Sequence, residues 1–326
     1  MYFMSQSLLN HARNVFQGLE ITGPRDGDWF FETFGPGNVL YFIDRPYERF
    51  CDYEELLLAL QQDNPDKYLL IHKGTPFYYL SWTAFDLRNF EKALFYIDAA
   101  ISEDIRQSPN DWIDLPGSAF LILRDPQNQV AGRTIANVRL FLEQDLSRFN
   151  DISGQHPLDI NLFIENFVRV LVLQQDATKR TIVSAFYVFL LEFIDRYSEL
   201  RLRSERGGSI QPFVIHLFKG GLIFESLLKH LYPAPQRRTI GDIFRSTDFQ
   251  NDFNIQVTTG SDSLQEIVNG IQGNSILSAF TTTSKLRNTT GHNLVWDDVF
   301  NNSETYRSLF SQEMNAILYL ISIKFN

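Results

Sequence analysis

The sequence is short of the residues that would cross-link it. Its 326 residues include one cysteine, Cys51. That excludes an internal disulfide and any metal site built from paired thiolates, and Cys51 reads as a small buried apolar side chain. Positive charge is also in deficit: 29 Lys and Arg stand against 39 Asp and Glu, for a net charge of −10. The deficit is uneven, with 9 basic against 16 acidic residues in 1–110 and 20 against 23 in 111–326. This excludes a broad basic face for non-specific nucleic-acid binding, so any RNA contact must be local. Long apolar runs are missing too. The longest, 182–194, already contains Glu192 and falls short of the roughly 20 residues that a membrane span requires. Met1 to Gln17 lacks a basic segment followed by an apolar run, so no secretory signal is expected. These absences predict a cytoplasmic protein without membrane contact. His11, His72, His156, His216 and His230 show no metal-ligand spacing. No HExxH, phosphate-loop or nucleophile-elbow pattern occurs either, and neither a metal nor a cofactor is expected.

What is present favours helices. Hydrophobic residues make up 44% of the chain, including 29 Phe, enough for a full core packed helix against helix. A helix is expected from about Gln6 to Leu19. The aromatic stretch from Asp28 to Phe42, broken by Gly35, Pro36 and Gly37, reads as turns with a small hairpin. Tyr53 to Gln61 carries a leucine stripe. Pro76 to Leu87 and Phe90 to Ser102 then form two helices joined by Arg88-Asn89, a link short enough to require antiparallel packing. Leu80 and Ser81 on the first, with Ala93, Ile97 and Ala100 on the second, resemble the contact pattern of a tetratricopeptide repeat. No second copy follows, and a single packed hairpin fits the same residues. Residues 104–131 are ambiguous, with Ser118 to Leu123 readable as strand, loop or helix end. Helical patterning returns at Ile135 to Phe149, and the polar break Asn150 to Pro157 marks a boundary between regions 1–150 and 158–326.

The second region reads as an antiparallel helical bundle, which makes the fold class mainly α. Ile182, Phe186, Phe189, Leu190, Phe193, Tyr197 and Leu200 recur every three or four residues along a helix from Thr178 to Arg206. Gly207-Gly208 would end it. Another helix opens at Pro212 and closes near Tyr232. Beyond a polar insert, Ser246 to Ser261, come Leu264 to Ile271, Ser275 to about Val295, and a last helix opening at Asn301 and Glu304.

Inside the penultimate helix lies Leu286-Arg287-Asn288-Thr289-Thr290-Gly291-His292, followed by one more helix. This resembles the Arg–polar–x–x–x–His signature of the HEPN family, with Arg287 and His292 at its ends and Asn288 in the polar second position. The resemblance covers residues 160–326 at most. It implies a helical bundle that dimerises and cleaves RNA without metal, in a toxin or host-defence setting. Histidine titrates near neutrality and can pass a proton either way, while arginine offers a fixed cationic fork to phosphate oxygens. One motif holds a single histidine, so two proton transfers suggest a second site, which the resemblance to the family implies comes from the other subunit of a homodimer. Residues five apart on a helix lie about 140° from each other, so Arg287 and His292 share a face only if Gly291 relaxes the turn. A helix-end Arg and His making ordinary surface contacts is the alternative. Glu225, between Phe224 and Leu227, would orient the arginine or histidine, or else be simply solvated. Gly220-Gly221 would permit a close helix contact or a kink. Two functions follow: a ribonuclease acting on single-stranded RNA, or a non-catalytic scaffold whose acidic N-terminal region binds a protein partner.

Overall fold

The computed structural model describes residues 4–35, 44–124, 129–154, 157–203, 208–233, 239–291 and 303–325. The protein is mainly α: 80% of the described residues are helical, and they include no strand. In chain order the helices are α1 (Gln6–Gly18), α2 (Pro24–Phe34), α3 (Pro46–Asp63), α4 (Pro65–Leu70), α5 (Gly74–Asp86), α6 (Phe90–Gln107), α7 (Pro116–Leu121) and α8 (Gln129–Ser153). Next is α9, which starts at Ile160–Leu162, passes through a π-helical stretch at Phe163–Arg169 and ends at Val170–Leu173. The rest are α10 (Ala177–Leu202), α11 (Gln211–Leu231), α12 (Ile240–Phe244), α13 (Thr247–Phe253), α14 (Leu264–Asn269), α15 (Ile276–Thr290) and α16 (Ser303–Lys324). None of the described helices is long and apolar enough to cross a membrane.

The chain divides into two compact units, Met1–Ala136 with Val172–Ser184, and Asn137–Leu171 with Ala185–Asn326. The break expected at 150–157 therefore falls inside the second unit. α8 continues to Ser153, and the Asn150 side chain then donates to the Leu158 carbonyl and accepts from its N–H, both at 2.8 Å. A polar sequence that supplies its own hydrogen bonds makes a corner within a unit as readily as a linker between two.

In the first unit, α5 and α6 form the expected hairpin. Leu80, Ser81, Ala93, Ile97 and Ala100 are all buried between them or against α7. Leu87, Arg88 and Asn89 link the two helices, with Arg88 at φ +56° and the Asn89 side chain capping Lys92 N–H. Residues 116–121, ambiguous in sequence, are the short helix α7, where a Cβ on Gly117 would lie 3.3 Å from Ala100 Cβ. The hairpin expected in the aromatic stretch is not present over 24–34, which is helix α2. Pro24 sits at its start and Asp26 caps the Thr22 and Gly23 N–H groups. Phe30, Phe31 and Phe34 recur on one face and are buried. Gly35, the first of the breakers after Phe34, is the C-cap of this helix and ends it rather than preventing it. The turn at 125–128, Gly207 and the Asn301 cap lie outside the described residues.

In the second unit, α16 forms the centre. Leu309, Phe310, Met314, Ala316, Ile317 and Leu320 are fully buried, and α11 and α15 pack directly against it. Stacked rings extend this core, with Phe193 and Phe310 centroids 3.7 Å apart at 4°. His216 of α11 lies inside it. Its Nε2 donates to the Phe189 carbonyl, and its Nδ1 pairs with the Tyr306 hydroxyl, both at 2.7 Å.

Candidate functional site

α15 is made for close approach. Ser275 caps it by accepting from Ser278 N–H, and Thr282, Thr283, Ser284, Thr289 and Thr290 are buried along it. Ser284 and Thr290 donate their hydroxyls to carbonyls four residues back in the same helix. Small side chains that satisfy their own polar atoms in this way let neighbouring helices come near. α11 answers with Gly220-Gly221. A Cβ on Gly220 would stand 2.5 Å from Glu313 Oε2, and one on Gly221 would stand 2.6 Å from Arg287 Cβ. The pair marks a close contact within a continuous helix, which runs unbroken from Gln211 to Leu231.

This contact brings Arg287 onto α11. Its Nε donates to Glu225 Oε2 at 2.6 Å, while Glu225 Oε1 pairs with Lys229 Nζ at 2.6 Å. The Glu225 side chain is 9% exposed against 32% for Arg287. A carboxylate that well buried is the anchor of the arrangement rather than a solvated group, and the alternative reading of Glu225 falls. Arg287 NH1 also donates to Asn288 Oδ1 at 3.3 Å. Its second terminal nitrogen has no hydrogen-bond partner among the described residues, and the side chain as a whole is part-exposed. Held at Nε and NH1, the group presents its remaining edge as a donor for an anionic oxygen.

Beyond α13 an extended segment, 254–263, crosses this end of α15. Asp262 pairs with Lys285 at 2.5 Å, and Thr289 Oγ1 donates to the Asp262 carbonyl at 2.8 Å. Three cations, Arg287, Lys229 and Lys285, thus surround two carboxylates, Glu225 and Asp262. Glu266 lies within electrostatic range of Asp262 and Lys285 as well, so the cluster is balanced in charge.

Of the four residues expected at the site, Arg287, Asn288 and Glu225 are brought together. His292 lies outside the described residues. Gly291 does not relax the turn through a left-handed backbone, because its φ is −73°. Its small size matters instead, since a Cβ there would stand 3.1 Å from the ring of Phe218 and from the Arg287 carbonyl. Sequence reasoning missed Lys229, although its i, i+4 spacing from Glu225 is an ion-pair signal. It also missed Lys285, Gly260 and Asp262, for which no local signal exists. Cys51, expected to be buried, is only partly covered. No protein family, no curated protein and no solved structure matches the chain.

Proposed function

We propose that the protein is a metal-independent endoribonuclease of the HEPN type, with Arg287, Asn288 and His292 as its catalytic residues. The observation that carries this reading is the Arg287 guanidinium, fixed by the buried Glu225 and by Asn288 with one donor edge left for a phosphate. Cleavage by the RNA's own 2′-hydroxyl requires a base for that proton, an acid for the leaving 5′-oxygen and a cation for the phosphorane. His292 supplies proton transfer and Arg287 the cation. The second proton transfer is assigned to the same motif of a partner copy. The resemblance, which is confined to the C-terminal region, supports a toxin or host-defence setting; the acidic N-terminal unit would bind a partner or restrain activity.

The test is incubation of the purified protein, and of its Arg287→Ala and His292→Ala variants, with single-stranded RNA in EDTA. Cleavage by the wild type alone is expected. Equal behaviour of all three removes the reading.

A second reading, a non-catalytic adaptor, is favoured by an open groove of about 530 Å³ between α1 and α3 in the acidic N-terminal unit. Leu9, Leu58 and Tyr47 line it beside Glu54 and Glu55. An adaptor would leave RNA intact and would not depend on Arg287.

A further inference from the structure

The last turn of α15 has two polar faces. Arg287 meets α11, whereas Lys285, Asn288 and Thr289, at i, i+3 and i+4, share a face that meets segment 254–263. All three bond to it: Lys285 Nζ to Asp262 Oδ2 at 2.5 Å, Thr289 Oγ1 to the Asp262 carbonyl at 2.8 Å, and Asn288 Nδ2 to the Gly260 carbonyl at 3.4 Å. The segment has no regular structure, and among the described residues the N–H groups of 255–262 donate to no backbone carbonyl. Its ends are set by Asn254, left-handed at φ +48°, and by the Ser263–Glu266 capping box. Between them, Asp262 has two bonds to α15, one from Lys285 to its carboxylate and one from Thr289 to its backbone carbonyl, and only the first depends on the aspartate side chain.

The consequence falls on the Asn288 amide, which has one donor end and one acceptor end. Its Nδ2 is taken by Gly260, which turns Oδ1 toward Arg287, whose NH1 donates to it at 3.3 Å. Glu225 grips Nε and Asn288 grips NH1, so the guanidinium plane is held at two points. With the second grip lost, the plane turns about the first.

We propose that Asp262 is a positioning residue of this site. It seats segment 254–263 on α15, the segment orients the Asn288 amide, and the amide sets the plane of the Arg287 guanidinium. This rests on the ribonuclease reading of Arg287. It adds to that reading a residue that touches no substrate and lies outside the Arg–Asn–x–x–x–His motif.

The experiment measures cleavage of a fluorophore–quencher single-stranded RNA in EDTA by the full-length protein. The variants are Asp262→Ala, Asp262→Glu, Asn288→Ala, the Asp262→Ala/Asn288→Ala double variant and Arg287→Ala. Asp262→Ala is expected to lower kcat about tenfold and leave KM within about twofold, because orientation rather than binding is lost. Asp262→Glu restores most of the rate. The double variant is no slower than Asn288→Ala alone, since both changes break one chain of contacts. Unchanged kcat in Asp262→Ala, or multiplied losses in the double variant, overturns the proposal. If Asp262→Ala does not fold, Lys285→Met releases the same carboxylate and takes its place in the cycle with the same expected outcomes. A wild type that leaves RNA intact, or cleaves it no better than Arg287→Ala, removes the ribonuclease reading and this proposal with it. Arg287-dependent cleavage that survives in full in Asp262→Ala removes the proposal alone.

Discussion

Gly221 approaches Arg287 so closely that an added Cβ would lie 2.6 Å from the arginine's Cβ and 3.0 Å from its Cα. Both of those atoms belong to or adjoin the α15 backbone, which cannot swing aside as a flexible side-chain end would. Gly221→Ala is therefore expected to push α11 and α15 apart and lower stability by about 1–3 kcal/mol, the range for overpacked cores. The midpoint of urea unfolding measures it. An unchanged midpoint would mean that the two helices separate freely at this point.

Glu225 pairs with two cations at once, Arg287 and Lys229. Glu225→Ala strands Arg287 beside a buried hole and is expected to cost about 1–3 kcal/mol, less than a fully buried pair because the arginine is part-exposed. Glu225→Gln keeps an acceptor for Nε and should cost less. Equal unfolding midpoints for Glu225→Ala and the wild type would show that the contact carries no net stability.

His216 and Glu313 lie in the same core, and both favour their neutral forms. Burial lowers the His216 pKa to about 3 from 6.5. The unfolded chain therefore takes up a proton below about pH 6.5 that the folded chain refuses. Stability is full above that pH and falls toward pH 3, at roughly 1.4 kcal/mol per pH unit for the single group. Glu313 is fully buried, its two oxygens have no hydrogen-bond partner among the described residues, and burial raises its pKa well above 4.5. Its linkage has the opposite sign: stability is full below pH 4.5 and declines as pH rises. Glu313→Met is expected to raise the unfolding free energy by about 1–3 kcal/mol at pH 8 and by much less at pH 4. His216→Gln should flatten the acid limb. Chemical denaturation at pH 4, 6 and 8 tests both, and a Glu313→Met gain independent of pH would contradict the second.

In the first unit, His72 is clamped by two carboxylates, with Asp104 Oδ1 3.0 Å from Nε2 and Asp28 Oδ1 3.5 Å from Nδ1. Burial pulls the imidazole pKa down, but the hydrogen bond to Asp104 and the charges of Asp104 and Asp28 outweigh it and raise the pKa to about 9 from 6.5. The two acids differ: pairing lowers Asp28, while burial of Asp104 outweighs the same pairing and raises it. For His72 the stabilisation is full below pH 6.5 and is lost as pH rises through about 9. His72→Gln should lower stability by about 2 kcal/mol at pH 6, with the gap from wild type closing by pH 10. A gap that stays constant across this range would rule out the charged clamp.

Much of the helical framework was legible because it is a short-range property. The three-to-four-residue recurrence from Ile182 to Leu200, Pro212 at the head of α11, and the small residues Ala93 and Ala100 across from Leu80 each lie within a few turns of what they organise. The misreading at 28–34 has the same origin. The breakers after Phe34 were close enough in sequence to mask the Phe30–Phe31–Phe34 face, and only burial of those rings decides for helix.

The sequence by itself determined a chain without disulfides, helical almost throughout, with Arg287 and Asn288 adjacent on one turn. Only the tertiary structure decided what that turn faces. Glu225 is 62 residues from Arg287, and Asp262 is 23 from Lys285, so neither partnership shows as a periodicity. They exist because Gly221 lets α11 close on α15, and because a segment without its own backbone ladder comes to rest where Asp262 finds Lys285 and Thr289. Periodicity assigns residues to faces. Which faces meet depends on how all the helices pack at once.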